Sequence, residues 1–256
     1  MAISPDYRAY PGTSAATTAA VLDAGLRAYM LRVFNWMTSG LLLTGVVAYG
    51  IANTSLINLF YAKAVLPSGQ TALQPTALAM VAIFAPLAFI LVLSFGVNKM
   101  SRPAVQAIFW AFCATMGASM TNIFIVYTNE SIVRVFFITS ATFAATSAYG
   151  YVTKTDLTKF GSFLIMGLFG IIIASLVNIF VGSSALQFAI SIIGVVVFTG
   201  LTAYDTQRIK ADYVQHAYAE GSDDAGKRSV FDALSLYLNF INLFMLLLQL
   251  LGNRRS

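Results

Sequence analysis

The chain has 256 residues, of which 58% are hydrophobic and only 10% charged, where soluble domains carry roughly 45–50% and about 25%. With a mean hydropathy of +0.78, this excludes a soluble globular protein and describes one polytopic membrane domain, since no polar stretch is long enough to bury a core of its own. The net charge of +5 comes from Lys and Arg in short segments between apolar runs, with no basic patch interleaved with aromatics, so no nucleic-acid partner is expected.

Residues 1–27 are rich in Ala, Thr and Ser and lack the charged-then-apolar order and the cleavage pattern of a signal peptide. They read as a disordered tail with a short helical end, leaving residues 28–256 as the membrane domain. Seven apolar runs of about the 20 residues that a bilayer core requires follow. They lie near Val33–Ala52, Thr76–Gly96, Ala104–Val126, Ile132–Val152, Phe160–Val181, Leu186–Asp205 and Val230–Leu251. The predicted fold is an all-α membrane protein, a seven-transmembrane-helix bundle. Between the first two spans, Leu56, Ile57, Leu59, Phe60 and Tyr61 suit a segment lying in the membrane interface. Gly40, Thr44, Ala48 and Ala52 on the first span, and Ser140, Ala144 and Ala148 on the fourth, form small-residue ridges of the kind that let helices approach closely. Cys113 is the single cysteine and lies in an apolar run, so neither a disulfide nor a cysteine metal cluster is expected, and no cofactor is implied.

Loop charge sets the expected orientation. With the N-terminus inside, eleven Lys and Arg fall on the cytoplasmic side: Arg8, Arg27, Arg32, Lys99, Arg102, Lys154, Lys159, Arg208, Lys210, Lys227 and Arg228. Four fall outside: Lys63, Arg134, Arg254 and Arg255. Arg254 and Arg255 are the discordant pair, and they would move inside if the last span were re-entrant.

The last span carries a polar seam. Asp232, Ser235, Asn239, Asn242 and Gln249 recur at intervals of three, four and seven, which places them on one helical face, while Leu234, Leu238, Ile241, Met245 and Leu248 cover the other sides. In hydrocarbon such a stripe needs partners or water, with a carboxylate at the helix centre costing roughly 2.5–3.5 kcal/mol on insertion scales. The seventh helix is therefore expected inside the bundle. Asp205 closes the sixth span. If that helix continues past Gln207, Asp205 lies about one turn inside the cytoplasmic boundary, with Thr202 and Ser191 on nearly the same face. The residues are compatible with a proton-sensitive gate, a cation site or a catalytic dyad, and equally with interfacial acids, one of them paired to Arg208, Lys99 or Arg228.

Catalysis fares poorly against its own requirements. The only histidine, His216, sits in a polar stretch, which removes the two-histidine zinc protease and leaves no base for a serine hydrolase within any span. Tyr204-Asp205 matches half of the presenilin-type aspartyl protease pattern, but its Gly-x-Gly-Asp half is absent. The chain is not expected to be an enzyme.

Gly200-Leu201-Thr202-Ala203-Tyr204-Asp205-Thr206-Gln207, followed by Ser235-Leu236-Tyr237-Leu238-Asn239-Phe240-Ile241-Asn242-Leu243-Phe244, resembles the signature of the Bax-inhibitor family, the transmembrane Bax inhibitor motif family. Leu31-Arg32-Val33-Phe34-Asn35 through Gly50, and Thr153-Lys154-Thr155-Asp156-Leu157-Thr158 leading into Asn178, fit its bacterial branch. The resemblance implies a seven-helix bundle with the seventh helix central, a pH-sensitive calcium leak as its activity, and a bacterial inner membrane as its location. In some bacterial relatives it also implies binding to a membrane AAA protease. The family's paired acidic sensor maps onto Asp205 and Asn239, and this chain departs by carrying Asn where relatives with the pair have Asp. An Asp–Asn pair has no like-charge repulsion, so the expected pH response is weaker or acid-shifted. Asp232 is a possible source of the missing charge, but two turns from Asn239, about 10 Å, it is too far for a directly shared proton. The resemblance also implies a basic latch near the inner end of the second helix, for which Lys99 and Arg102 are the candidates. Three readings follow: a calcium or other cation leak lined by Asp205, Thr202, Ser235, Asn239 and Asn242, a non-channel regulator of a membrane protease or other partner, and a proton-coupled transporter.

Overall fold

The computed structural model describes residues 15–65, 71–96, 100–216 and 222–255. Its elements in chain order are α1 (Ala15–Ala52), α2 (Ile57–Phe60), β1 (Tyr61–Val65), β2 (Thr71–Pro75), α3 (Ala77–Gly96), α4 (Arg102–Ser119), α5 (Asn122–Val126), α6 (Asn129–Val152), α7 (Thr158–Val181), α8 (Ser184–His216) and α9 (Ser222–Leu251). Seven spans, α1, α3, α4 with α5, α6, α7, α8 and α9, are long and apolar enough to cross a membrane. The protein is an all-α multi-pass membrane bundle.

The helices overrun the apolar windows where other forces extend them. α1 begins at Ala15, so residues 15–27, placed in the tail by composition, are helical. Their Ala content favours a helix, and Leu26, Tyr29, Met30 and Val33 bury one side of it. Residues 1–14 lie outside the described residues. α8 continues past Asp205 to His216, where the last turn is closed by a contact between His216 Nδ1 and the Asp212 carbonyl. The third span is broken between α4 and α5 at Met120–Thr121. Ser119 Oγ donates to the Met116 carbonyl there and Thr121 Oγ1 to that of Gly117, local bonds that compete with the helical ladder. The segment after α1 is the short α2, with Leu56 and Leu59 exposed, running into an antiparallel hairpin in which Tyr61 pairs with Pro75 and Val65 with Thr71.

α9 is the most buried span and α7 the least. α9 packs against α1, α4, α6 and α8, while α3 lies outside α4 and α7 outside α8. The seventh transmembrane helix is central. The core around it contains Phe109, Phe112, Leu236, Tyr237, Leu243 and Leu248, and exposed Leu, Ile, Val and Phe side chains clothe the outside, as lipid contact requires. A hydroxyl of α1, Thr44 Oγ1, lies 2.7 Å from Tyr237 Oη of α9 and 2.9 Å from the Cys113 carbonyl of α4.

The first small-residue ridge packs against a helix, with Gly40 against Phe109 and Cys113. The second ridge does not: Ala144 and Ala148 are exposed and face a groove between α6 and α1. The chain after α9 is stitched to the α5–α6 junction. The Asn253 carbonyl accepts from Thr128 N–H at 3.1 Å, the Val126 carbonyl accepts from Arg255 N–H at 2.9 Å, and Asn253 N–H donates to Ser131 Oγ at 2.9 Å. The start of α9 lies beside Arg102 at the beginning of α4 and its end at the α5–α6 junction, so the last helix runs the length of the third span and does not turn back, and Arg254 and Arg255 sit at the end opposite the α6–α7 loop.

Candidate functional site

The polar centre forms where α8 meets α9. Asp205 on α8 turns toward α9 because two glycines set the seat of its helix. A side chain at Gly150 of α6 would collide with the Ala203 carbonyl, and one at Gly161 of α7 would collide with the Tyr204 ring. Ala203 and Tyr204 thus lie flush against α6 and α7, which leaves the next residue facing the centre. Asp205 Oδ2 accepts a 2.7 Å hydrogen bond from Asn239 Nδ2. Its Oδ1 lies 3.0 Å from Arg208 Nη2, one turn along the same helix. Arg208 Nη2 also lies 3.5 Å from Ser235 Oγ, one turn from Asn239 on α9. Carboxylate, guanidinium, hydroxyl and amide therefore share one small cluster.

The cluster is graded from dry to wet. Asn239 is buried, the Asp205 side chain is 15% exposed, and that of Arg208 is 38% exposed. Arg208 Nε is buried without a hydrogen-bond partner, so the guanidinium is held by fewer bonds than it can make. A charge this far from solvent is stable only when paired, and Arg208 with Asn239 supplies the pairing. Asn239 Oδ1 retains acceptor capacity for a cation. Among the described residues no three His, Cys, Asp or Glu side chains converge as a metal cluster would.

The other members of the seam point elsewhere. Asp232, two turns from Asn239 on the same face of α9, is engaged by α1 instead, accepting a 2.6 Å hydrogen bond from Tyr29 Oη. Gln249 accepts from Gln187 Nε2 at 2.7 Å and from Ser191 Oγ at 3.0 Å, with Asn178 extending the amide chain to α7 at the far end of the bundle. Asn242 Nδ2 donates to the Leu238 carbonyl, and Thr202 Oγ1 to that of Phe198, each within its own helix. Of the basic latch candidates, Lys99 lies outside the described residues, and Arg102 rests against Gly226 at the start of α9. Among the described residues the cation on Asp205 is Arg208.

Residues 26–256 match the family described as inhibitor of apoptosis-promoting Bax1. The chain belongs to the Bax-inhibitor family. Bax-inhibitor relatives include an uncharacterised protein of Rickettsia prowazekii, 45% identical over 91% of this chain and 93% of its own length. The inner membrane protein YbhL of Escherichia coli K12 is 43% identical over 91% of this chain and 94% of its own, and a protein of Streptococcus pyogenes is 30% identical over 90% and 94%. The two family signatures are the two sides of the Asp205 cluster. Gln207, the last residue of the first signature, serves the fold: its Oε1 accepts from Leu157 N–H and its Nε2 donates to the Thr155 carbonyl, both at 2.8 Å. Sequence reasoning missed Tyr29, Gly150 and Gly161 in this Bax-inhibitor chain. A tyrosine in an alanine-rich stretch and glycines in apolar runs acquire meaning only once the helices they touch are known.

Proposed function

We propose that the protein is a non-enzymatic cation-leak channel with calcium as the preferred ion, gated where Arg208 closes on Asp205. The carrying observation is the Asp205 carboxylate at the α8–α9 contact, bonded by Asn239 and capped by the partly exposed Arg208. A cation entering from that end competes with the guanidinium for Asp205 Oδ1. Arg208 has solvent-side room to swing out, and Asn239 and Ser235 then offer neutral oxygens to the ion. With Asn at position 239, one carboxylate titrates where two would share a proton, so the pH response is weaker or acid-shifted compared with a two-acid pair.

We place the cluster at the cytoplasmic end, with the N-terminus inside, in a bacterial inner membrane. The excess of Lys and Arg at that end supports the orientation, and the inner-membrane relative of E. coli supports the location.

Calcium influx into proteoliposomes at neutral and mildly acidic pH tests the reading. Asp205→Asn abolishes flux, Arg208→Gln raises it at neutral pH, and Asn239→Asp makes it more pH-dependent. Equal pH sensitivity in the wild type and Asn239→Asp would remove the gate from this pair. No flux above empty liposomes in any variant would turn the reading to a regulator that binds a membrane AAA protease or another partner.

A further inference from the structure

A groove of about 1230 Å³ runs along the lipid-facing side between α1 and α6, with Phe240 of α9 in its wall. It exceeds the roughly 300–1,000 Å³ of small-molecule pockets. Its chemistry is ordered along its length. One end holds Arg27, Asp23, Lys210 and Tyr151. Beyond Ser147 the wall is formed mainly by apolar and small side chains, among them Met37, Leu41, Phe136 and Ala144. Arg27 is paired with Asp23 at 3.1 Å, whereas Lys210 makes no carboxylate pair among the described residues. Its Nζ donates to the Tyr151 carbonyl at 2.9 Å and stands 5.0 Å from the Tyr151 ring centroid, which leaves two N–H donors at the mouth. The mouth therefore carries one positive charge beyond its internal ion pair.

Ser147 is the second observation. It lines the groove, is 5% exposed, and its Oγ has no hydrogen-bond partner. It lies four residues before Tyr151, about 6 Å deeper along α6, and its hydroxyl, covered in this structure, would meet a ligand in the groove only in another staggered rotamer. The spacing has a chemical match: a phosphodiester at Lys210, a glycerol ester carbonyl one helical turn deeper at Ser147, and acyl chain along the apolar remainder. A phospholipid brings the anion that Lys210 lacks together with the ester carbonyl, a pairing that an apolar transmembrane helix does not supply.

We propose that this groove is a binding site for one anionic phospholipid, with its phosphate on Lys210 and Arg27 and an ester carbonyl accepting from Ser147. Native mass spectrometry of the full-length protein, taken from bilayers of equal phosphatidylglycerol and phosphatidylcholine with matched acyl chains, tests it. One retained lipid is expected, with phosphatidylglycerol favoured about fivefold, the effect of one cation near a headgroup. Lys210→Gln removes the preference, Ser147→Ala lowers occupancy, and Ala144→Phe, at an exposed position that the fold does not pack, blocks retention with the unfolding temperature unchanged. Should Ala144→Phe misfold, Ala148→Leu repeats the block with a smaller side chain. Retention in the bulk lipid ratio, or retention unaffected in a folded groove-blocking variant, overturns the proposal. So does cross-linking of Ala144→Cys, in a Cys113→Ala background, to a second protein chain.

Discussion

Tyr29 and Asp232 join α1 to the central helix through one hydrogen bond to a buried carboxylate. Tyr29→Phe removes the donor and keeps the ring that stacks on Tyr213 at 4.9 Å. Hydrogen bonds to charged groups contribute about 1.5–3 kcal/mol, so a loss of that order is expected in thermal or denaturant unfolding in detergent. In the double variant with Asp232→Asn the two losses should fall short of additive, which a double-mutant cycle measures. Asp156 lies outside the spans and is a different kind of acid. The Thr158 side chain and backbone N–H, the latter 2.9 Å from its Oδ1, hold its carboxyl below the usual carboxylate range. A depressed carboxylate lends its stabilisation above the unfolded value near 3.9 and loses it as pH falls through the lower folded value. Between pH 6 and 8 it stays ionised, so Asp156→Ala should leave the pH profile of calcium flux unchanged, and a shifted profile would mean that the α6–α7 loop takes part in gating. Asp205, Asn239 and Ser235 were legible in the sequence as one cluster because helical spacing and the two signatures placed them there. Arg208 was legible only as one of three possible partners, since a cation one turn from an acid and cations on other helices look alike until the helices are packed.

Between elements, glycine spacing fixes how α8 is seated. Gly150→Ala should force α6 away from the Ala203 carbonyl, a backbone group that cannot swing aside, and lower stability by the roughly 1–3 kcal/mol of an overpacked contact. The same change at Gly170, where an added Cβ meets nothing within 4 Å, should be neutral or stabilising by up to about 1 kcal/mol. Unfolding temperatures of the two variants decide whether the close approach or the residue type matters. Gly182 follows another rule: it ends α7 at φ +64, where a side chain is strained whatever room surrounds it. The spans were readable from hydropathy, but their ends were not. α8 runs eleven residues past Asp205 because Lys210 and Gln207 find partners at the Tyr151 and Thr155 carbonyls, contacts between segments that a window along one segment does not see. The ridge of Ser140, Ala144 and Ala148 shows the converse. Small residues at helical spacing permit a close neighbour, and here they open a groove instead.

For the whole molecule, the two ends of the bundle make a topological prediction. In a Cys113→Ala background, Glu130→Cys beside the α5–α6 junction and Lys154→Cys in the α6–α7 loop occupy opposite ends, and both positions are exposed. With the N-terminus inside, a membrane-impermeant maleimide added to intact cells should label Glu130→Cys and spare Lys154→Cys, and the reverse pattern would invert the orientation. The centrality of α9 has a consequence for biosynthesis. The most buried helix is the last of the seven spans to be translated, so Tyr29, Thr44 and Ser191 enter the bilayer before their α9 partners Asp232, Tyr237 and Gln249 have been made. A nascent bundle of six helices therefore carries polar side chains whose α9 partners are missing, a mark by which membrane quality control can tell an unfinished chain from a finished one.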